Sequence, residues 1–452
     1  MEGTTAPDPT QAFHAALAAR MAAVAAAMGR WASAGPRTLA EVEQRAMVAA
    51  QELGNALLAG VCGVLAAVPA APERPCPCGQ TATYLRQRPA TVRTVLGPVA
   101  IERAYYHCAS CGHGHAPLDR QLGYCAGSTS AGLDEALALL GATADSFEEA
   151  VGLLDQLTLV RVCPNLARAA TERLGRVVQA AERQAVAAAW GPGALPPAVA
   201  APPQLYLSMD GVLVQTAAGW REYTLGAVST TVARPAPTRP GAVELQAQER
   251  SFVGDVADAA TFGQRLWCEA ARRGVLTARE VIVVADGAHW IWHLVAEHFP
   301  EATQLVEWYH ASQYVWRVAH AVYGAGTPLA KRWATRRLDD LWEGEVGEVL
   351  AAFAAHRQRG AAVEEASTDY TNNAHRMRYA DYRARGLQRG SGSIESGCKP
   401  VITARLKQAG MLWSLDGARA VAAVRTWLKR GRWAEASALR PPRQRAYRRK
   451  AA

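Results

Sequence analysis

The chain has 452 residues, half of them apolar and 20% charged, which suits a soluble globular protein of two to four domains. Its net charge of +9 favours an anionic partner, although charge alone does not separate DNA from RNA or a membrane surface. The opening residues MEGTTAPDPTQ lack the basic start and compact apolar core of a signal peptide. The most apolar stretch, Leu57 to Ala70, is too short for a bilayer and holds Gly60, Gly63 and Pro69, so a cytoplasmic protein without a membrane partner is expected.

Residues 1–70 form an N-terminal helical segment, with two Ala-rich helices between Gln11 and Val68 broken at Gly35-Pro36. They serve equally well as a dimerisation element or as a cap on the core. Residues 71–125 are a Cys-rich module. Cys76 and Cys78 in CPCG and Cys108 and Cys111 in CASCG offer four thiolates to a tetrahedral Zn²⁺, each pair followed by glycine as in zinc-ribbon knuckles. Between them TVRTVLGPVAIERAYYHC alternates around Leu96-Gly97-Pro98 as a β-hairpin would. The first pair is Cys-x-Cys where Cys-x₂-Cys is usual, so His107, His113 or His115 is an alternative ligand. Nine cysteines, four of them clustered, point to metal in a reducing compartment and not to disulfides. The others read as core packing (Cys62, Cys163, Cys268), a surface thiol (Cys125) and a non-nucleophile beside Glu395 (Cys398).

Residues 126–188 read as helical and are a candidate for DNA binding. Ser146-Phe-Glu-Glu149 has a capping-box pattern, a second helix starts near Pro164, and a helix-turn-helix or a plain antiparallel pair both fit. A Pro-, Gly- and Ala-rich linker covers 189–203. From Gln204 the pattern changes to strands: LYLSMDG, WREYTLGAVS and SFVGDV, then the helix TFGQRLWCEAARRG, the buried strand VIVVADG, the helix WIWHLVAEHF and the strand TQLVEWYH.

Asp210 and Asp286 each end an apolar run before glycine, and Glu395 follows in GSGSIESGCKP. Side chains at the C-terminal ends of buried strands face the crevice where α/β sheets bind ligands. Three carboxylates meeting there need a divalent cation, and hard oxygen ligands on Mg²⁺ are what two-metal phosphoryl transfer uses. Each Asp-Gly also fits an ordinary turn, because aspartate bonds its own backbone and glycine accepts positive φ.

The blocks LYLSMDGVLVQTAAGWREYTLGAV, VIVVADGAHWIWHLVAEHFPEATQLVEWYHASQYVW and GSGSIESGCKPVITARLKQAGMLWS, in that order, resemble the IS-Kra family of bacterial insertion-sequence transposases. The resemblance implies an α/β multidomain chain with a ribonuclease H-like catalytic domain at 204–430. It places the Asp, Asp, Glu triad on Asp210, Asp286 and Glu395. A helical insertion, about 315–388, would fill the gap between Asp286 and Glu395. The implied activity is DDE transposition: binding of terminal inverted repeats, Mg²⁺- or Mn²⁺-dependent strand cleavage, and strand transfer by a homo-oligomer on DNA in the bacterial nucleoid. A nuclease or resolvase of the same fold, or a non-catalytic DNA-binding regulator, are the rivals.

Around the triad, Glu222 is the alternative carboxylate, and His289 and His310 flank the centre, His310 as a candidate phosphate contact. Arg405 and Lys407 follow the glutamate and suit a DNA backbone. Pro400 implies a kinked or late-starting helix beside Glu395. The tail 431–452, with Arg443, Arg445 and Arg448, reads as a flexible arm of salt-dependent DNA affinity.

Overall fold

A computed structural model describes residues 8–67, 70–124, 128–190, 201–235, 243–390, 394 and 397–439. The chain is α/β and divides into two compact units, Met1–Arg173 with Leu439–Ala452, and Leu174–Ala438. The division falls inside one long helix, α6 (Pro164–Trp190), and not at the Pro- and Ala-rich segment, of which 191–200 lie outside the described residues.

The first unit opens with a helical hairpin. Helix α1 (Pro9–Ser33) starts where Asp8 accepts from the Thr10 amide at 3.2 Å with Pro9 in the first turn. Helix α2 (Leu39–Ala66) starts at a capping box: Thr38 accepts from the Glu41 amide, and Glu41 accepts from the Thr38 amide at 2.8 Å. By length and composition both are able to cross a membrane, although the Leu57–Ala70 stretch alone is too short. Their sparse charge, spread over longer helices than that stretch, makes the difference.

A four-stranded antiparallel sheet follows, β1 (Glu73–Pro75), β2 (Thr81–Thr94), β3 (Gly97–His107) and β4 (Gly114–His115), paired in chain order. Gly97, at φ +95°, ends the β2–β3 turn. Asn55 of α2 donates to the Leu96 and Pro98 carbonyls at 2.8 and 3.1 Å, which docks the last turns of α2 on the hairpin. Cys62, Val92, Val99, Ile101, Leu118 and Tyr124 form the core beneath. After the short helix α3 (Pro117–Gln121), helices α4 (Ala131–Thr143), α5 (Phe147–Thr158) and the start of α6 share a core of Leu133, Leu137, Leu154, Val160, Ala167 and Ala170. Ser146 caps α5 by accepting from Glu149 N at 2.9 Å, while the Glu149 carboxylate reaches the amide of Asp145. α5 packs on α4, an extra helix that makes the group three-membered.

The second unit is built on a mixed five-stranded sheet. Strands β5 (Gln204–Thr216), β6 (Gly219–Pro235) and β7 (Val243–Asp255) are antiparallel; β8 (Glu280–Ala285) and β9 (Thr303–Val306) run parallel to β5; the spatial order is β7-β6-β5-β8-β9. Helices α7 (Ala259–Arg272) and α8 (His289–His298) connect β7 to β8 and β8 to β9. Phe262 and Leu266 of α7 pack over Gly226 of β6, and the helix Leu415–Lys429 packs against β7. A buried ionic cluster joins these layers: Asp255 takes Arg265 at 2.7 Å and Arg419 at 2.7 and 2.9 Å, and Arg430 stands 3.5 Å from both Glu182 and Glu269.

The segment TQLVEWYH departs from its expected strand. β9 stops at Val306, and α9 (Trp308–Tyr323) begins two residues on. Aromatic residues favour strands by propensity, but here Trp308 packs edge-on against Trp342 and Tyr379, which settles the helix. The helical region between β9 and the C-terminal segment therefore starts at Trp308. It continues through α10 (Pro328–Trp342), α11 (Val346–Ala354), α12 (Ala361–Asn373) and α13 (Tyr379–Ala384). Its core is continuous with that of the sheet. Buried tyrosines fix the joint: Tyr370 donates to the Ala311 carbonyl, Tyr379 to Val306 and Tyr382 to Gln304, at 2.7 to 2.9 Å.

Candidate functional site

In the first unit the four cysteines converge. Cys76 sits at the β1–β2 turn, closed by Gly79 N donating to Cys76 O at 3.0 Å; Cys108 sits after β3, closed by Gly112 N donating to Cys108 O at 2.8 Å. Gly79 and Gly112 have φ of +87° and +66°, where only glycine is comfortable. The two knuckles bring Cys76 Sγ within 3.6 Å of Cys111 Sγ and Cys78 Sγ within 3.8 Å of Cys108 Sγ, with all four ligand atoms within 4.8 Å of one another. A tetrahedral zinc with bonds of about 2.3 Å sets its sulfurs about 3.8 Å apart. The cluster can hold a metal such as zinc without help from His107, His113 or His115, so the short Cys-x-Cys spacing is no obstacle. Burial, with the neighbouring sulfurs, pushes the Cys76 thiol up to about 12. A bound cation is what would favour the thiolate.

In the second unit, Asp210 and Asp286 come from adjacent parallel strands. The register of the two strands ends at the pair Leu207 of β5 and Val283 of β8, and Asp210 and Asp286 each follow that pair by three residues, toward the C-terminal ends of the parallel strands. Asp286 follows β8 and accepts from the Ala288 amide at 2.9 Å. Asp210, by contrast, does not end its strand: β5 continues to Thr216, because Val212, Val214 and Thr216 keep one face of the extension buried. Asp210 accepts from its neighbour's amide, Gly211 N, at 2.7 Å and from the buried Cys398 thiol at 3.7 Å.

Neither glycine of the two Asp-Gly pairs has a positive φ: Asp210 lies inside its strand and makes no turn, whereas Asp286 does turn the chain by bonding the Ala288 amide without needing glycine's left-handed conformation. The space around them differs. A Cβ on Gly211 would meet Glu222 Oε1 at 1.9 Å, and one on Gly287 would meet Asp369 Oδ1 at 2.3 Å and Asn373 Nδ2 at 3.0 Å.

Asp369 is a residue that the sequence pattern did not single out. It stands on α12, beside the loop that carries Asp286. Its Oδ2 and the Nε2 of His310 are buried and have no hydrogen-bond partner among the described residues. Burial raises the Asp369 carboxyl above its ordinary range; His310 pulls it down, the charge of Asp286 pushes it up, and the Asn373 amide pulls it down. Asn373, 2% exposed, donates to Asp369 Oδ1 at 3.3 Å and is itself held by Arg376 at 3.0 Å. The only sequence sign of this arrangement is the polar i, i+4 pair Asp369 and Asn373 on one helix face. His310 rides α9 with its ring edge-on to Tyr314, and His289 opens α8, 3.4 Å from the Asn372 amide.

Glu222 is on the other face of the sheet. Asp210 pairs with Leu225 and Leu213 pairs with Glu222; three residues apart along a strand means opposite faces. Glu395 lies outside the described residues, as do Ser391, Ser393, Ser396, Cys125, Arg443, Arg445 and Arg448. The described chain around Glu395 runs over the Asp210 face: Ile394 is buried, Gly397 abuts the Phe252 ring, and Cys398 touches Asp210. The helix does pass through Pro400, as a π-helical turn at Lys399–Thr403. Buried Arg425 donates to the Val401 carbonyl at 2.7 Å and also to that of Pro400.

Arg405 is 1% exposed, with its guanidinium 5.1 Å from the Trp413 ring centroid. It belongs to the interior, and of the expected pair only Lys407 is presented to solvent. Cys62, Cys268 and Cys398 are buried, but Cys163 is exposed, since it precedes α6 instead of lying within it. No family model and no curated protein matches the chain.

Proposed function

We propose that the chain is a DDE-type transposase, of the IS-Kra kind its motifs resemble, with a ribonuclease H-like catalytic domain. The observation that carries this is that Asp210, on the central strand, and Asp286, directly after the parallel strand beside it, each follow the last β5–β8 pair by three residues. The strand order, three antiparallel strands followed by two parallel ones on the far side of the first, supports the fold assignment.

Asp210 and Asp286, joined by Glu395, would hold Mg²⁺ or Mn²⁺. When bound, such ions activate the attacking oxygen and stabilise the leaving one in phosphodiester cleavage and strand transfer. The orphaned Asp369 Oδ2 fits a centre that receives a cation or a proton donor. Asp369 and Asn373 press on the Asp286 loop and fix its position, and His310 brings a proton-exchanging group to the same carboxylate. The cysteine module would be a structural zinc ribbon, and with the α4–α6 helices it would grip the element's terminal inverted repeats. Exposed Lys407 would add phosphate contact.

The test is Mg²⁺-dependent cleavage and joining of a DNA fragment bearing the element's own end, with wild type beside Glu395→Gln. Loss of both activities in the variant supports the proposal. Cleavage that survives moves the third carboxylate elsewhere, with Asp369 next, since Glu222 is on the wrong face. Cleavage without joining marks a nuclease. Tight end-binding without cleavage by wild type marks a regulator.

A further inference from the structure

Three segments meet beside Asp286. Glu307 N donates to the Ala285 carbonyl at 2.8 Å, which sets the start of α9 against the end of β8. Tyr370, fully buried, donates to the Ala311 carbonyl at 2.7 Å, and so fixes α12 on α9 one residue from Asp369 and one from His310. Asp369 abuts the Asp286 loop, where a Cβ on Gly287 would come within 2.3 Å of its Oδ1, and Asn373 donates to that same oxygen at 3.3 Å. Oδ2 of Asp369 and Nε2 of His310 are left buried, without a hydrogen-bond partner among the described residues. Atoms of this kind are costly to bury unless something meets them. After burial itself, the charges of His310 and then Asp286 weigh most on the Asp369 carboxyl, so the three groups lie within electrostatic reach of one another.

We propose that Asp369 and His310 complete a cation site begun by Asp286, and that the imidazole makes this site select Mn²⁺ over Mg²⁺. The site rests on the reading of Asp286 as a metal ligand and adds two ligands to it. Mg²⁺ keeps to oxygen and sheds its water reluctantly, whereas Mn²⁺ takes oxygen and also accepts nitrogen. Two carboxylates and an imidazole therefore suit the transition ion better. A water bridging the two orphaned atoms would satisfy their hydrogen bonds but not the repulsion between the Asp286 and Asp369 carboxylates. Among the described residues the four cysteines are the only set of three or more with ligand atoms within 4.8 Å of one another, so binding here draws the His310 and Asp286 side chains toward Asp369 by rotation.

Titration of Mn²⁺ and Mg²⁺ into the zinc-loaded full chain tests this without DNA, with free Mn²⁺ counted by electron paramagnetic resonance and Mg²⁺ measured by competition. Wild type should hold Mn²⁺ at least about tenfold tighter than Mg²⁺. Oxygen ligands alone also favour Mn²⁺, so His310→Gln is the decisive variant: it should lose about tenfold in Mn²⁺ affinity and keep its Mg²⁺ affinity. The spin-echo modulation of a directly bound nitrogen should be present on Mn²⁺ in the wild type and absent in His310→Gln. Asp369→Asn should weaken both ions by roughly ten- to a hundredfold, with circular dichroism and bound zinc as in the wild type.

Asp286→Asn separates this site from the reading beneath it. If that change abolishes binding while His310→Gln and Asp369→Asn leave both affinities and the nitrogen signal untouched, Asp286 is a metal ligand and the proposal is wrong. Equal losses of Mn²⁺ and Mg²⁺ affinity in His310→Gln also overturn the selectivity. If Asp286→Asn leaves Mn²⁺ binding intact, or wild type binds neither ion, the reading of Asp286 falls and the proposal with it.

Discussion

The two Asp-Gly pairs invite a direct comparison, because alanine at the two glycines should behave in opposite ways. At Gly287 the new methyl would sit 2.3 Å from Asp369 Oδ1 and 3.0 Å from Asn373 Nδ2. Ordinary contact requires about 1 Å more. Neither neighbour yields easily: Tyr370, next to Asp369, is fully buried and bonded to Ala311, and Asn373 is held by Arg376. Overpacking of this kind costs about 1–3 kcal/mol, or roughly 2–10 °C in Tm for a domain of this size. The Asp286 loop must move by a similar 1 Å, and misplacement on that scale costs about a hundredfold in turnover. At Gly211 the obstacle is the exposed end of Glu222, which swings into solvent, while alanine in a strand gains about 0.5–1 kcal/mol over glycine. Thermal melts and Mg²⁺-dependent end cleavage of both variants decide the matter. If Gly287→Ala proves no more harmful than Gly211→Ala, α12 does not support the Asp286 loop and the packing argument is wrong.

The purified chain should carry one zinc per protomer by elemental analysis, and Cys108→Ala should lose it, with the knuckle amides becoming fast in hydrogen exchange while the Val92–Ile101 core stays protected. Acid should destabilise the second unit through Glu269. Burial acts to raise that carboxyl, but Arg430 and Arg272 outweigh it and bring it to about 2; stability of about 3 kcal/mol, fully present above the unfolded value near 4.5, is then lost as pH falls toward 2. Glu269→Gln should flatten that part of the urea-denaturation profile. Asp369→Asn should do the reverse in metal-free protein, because a raised carboxyl weakens the fold as pH climbs above its unfolded value. The variant should be the more stable at neutral pH, the gap should close near pH 4, and its Mg²⁺-dependent cleavage should fall.

Local chemistry made some of this legible in the sequence. The knuckle cysteines declare themselves because their partners lie within a few residues and the hairpin between them alternates. The strands around Asp210 and Asp286 do so through continuous apolar runs. The mistakes have a common physical origin in packing between distant segments. Turn chemistry offered positive φ as a reason for the glycine after each aspartate; neither glycine uses it, and at Gly287 it is Asp369 and Asn373, on a distant helix, that leave no room for a side chain. Strand propensity in EWYH lost to the aromatic contacts of Trp308, and Arg405 lost its surface role to Trp413. Asp369 had no local signature beyond its spacing from Asn373, since its proximity to Asp286 arises only when the helical region folds back on the sheet.

Proline 400 shows how such a conflict is resolved. A proline within a helix should break it, yet the segment after Glu395 stays helical by widening into a π turn at Lys399–Thr403, a device common at functional sites. The widened turn leaves the carbonyls of Pro400 and Val401 to Arg425, 4% exposed on the helix Leu415–Lys429. Arg425→Met would keep the volume and remove the donors, at about 1–3 kcal/mol for each carbonyl left short of a donor. Cys398, at the entrance to this turn, is in contact with Asp210, so the same substitution should loosen the carboxylate site. Lower thermal stability together with weaker Mg²⁺ protection of the segment around Cys398 from thiol labelling is the expected result. Unchanged labelling in a destabilised variant would mean that Arg425 only supports the core and does not position the chain over Asp210.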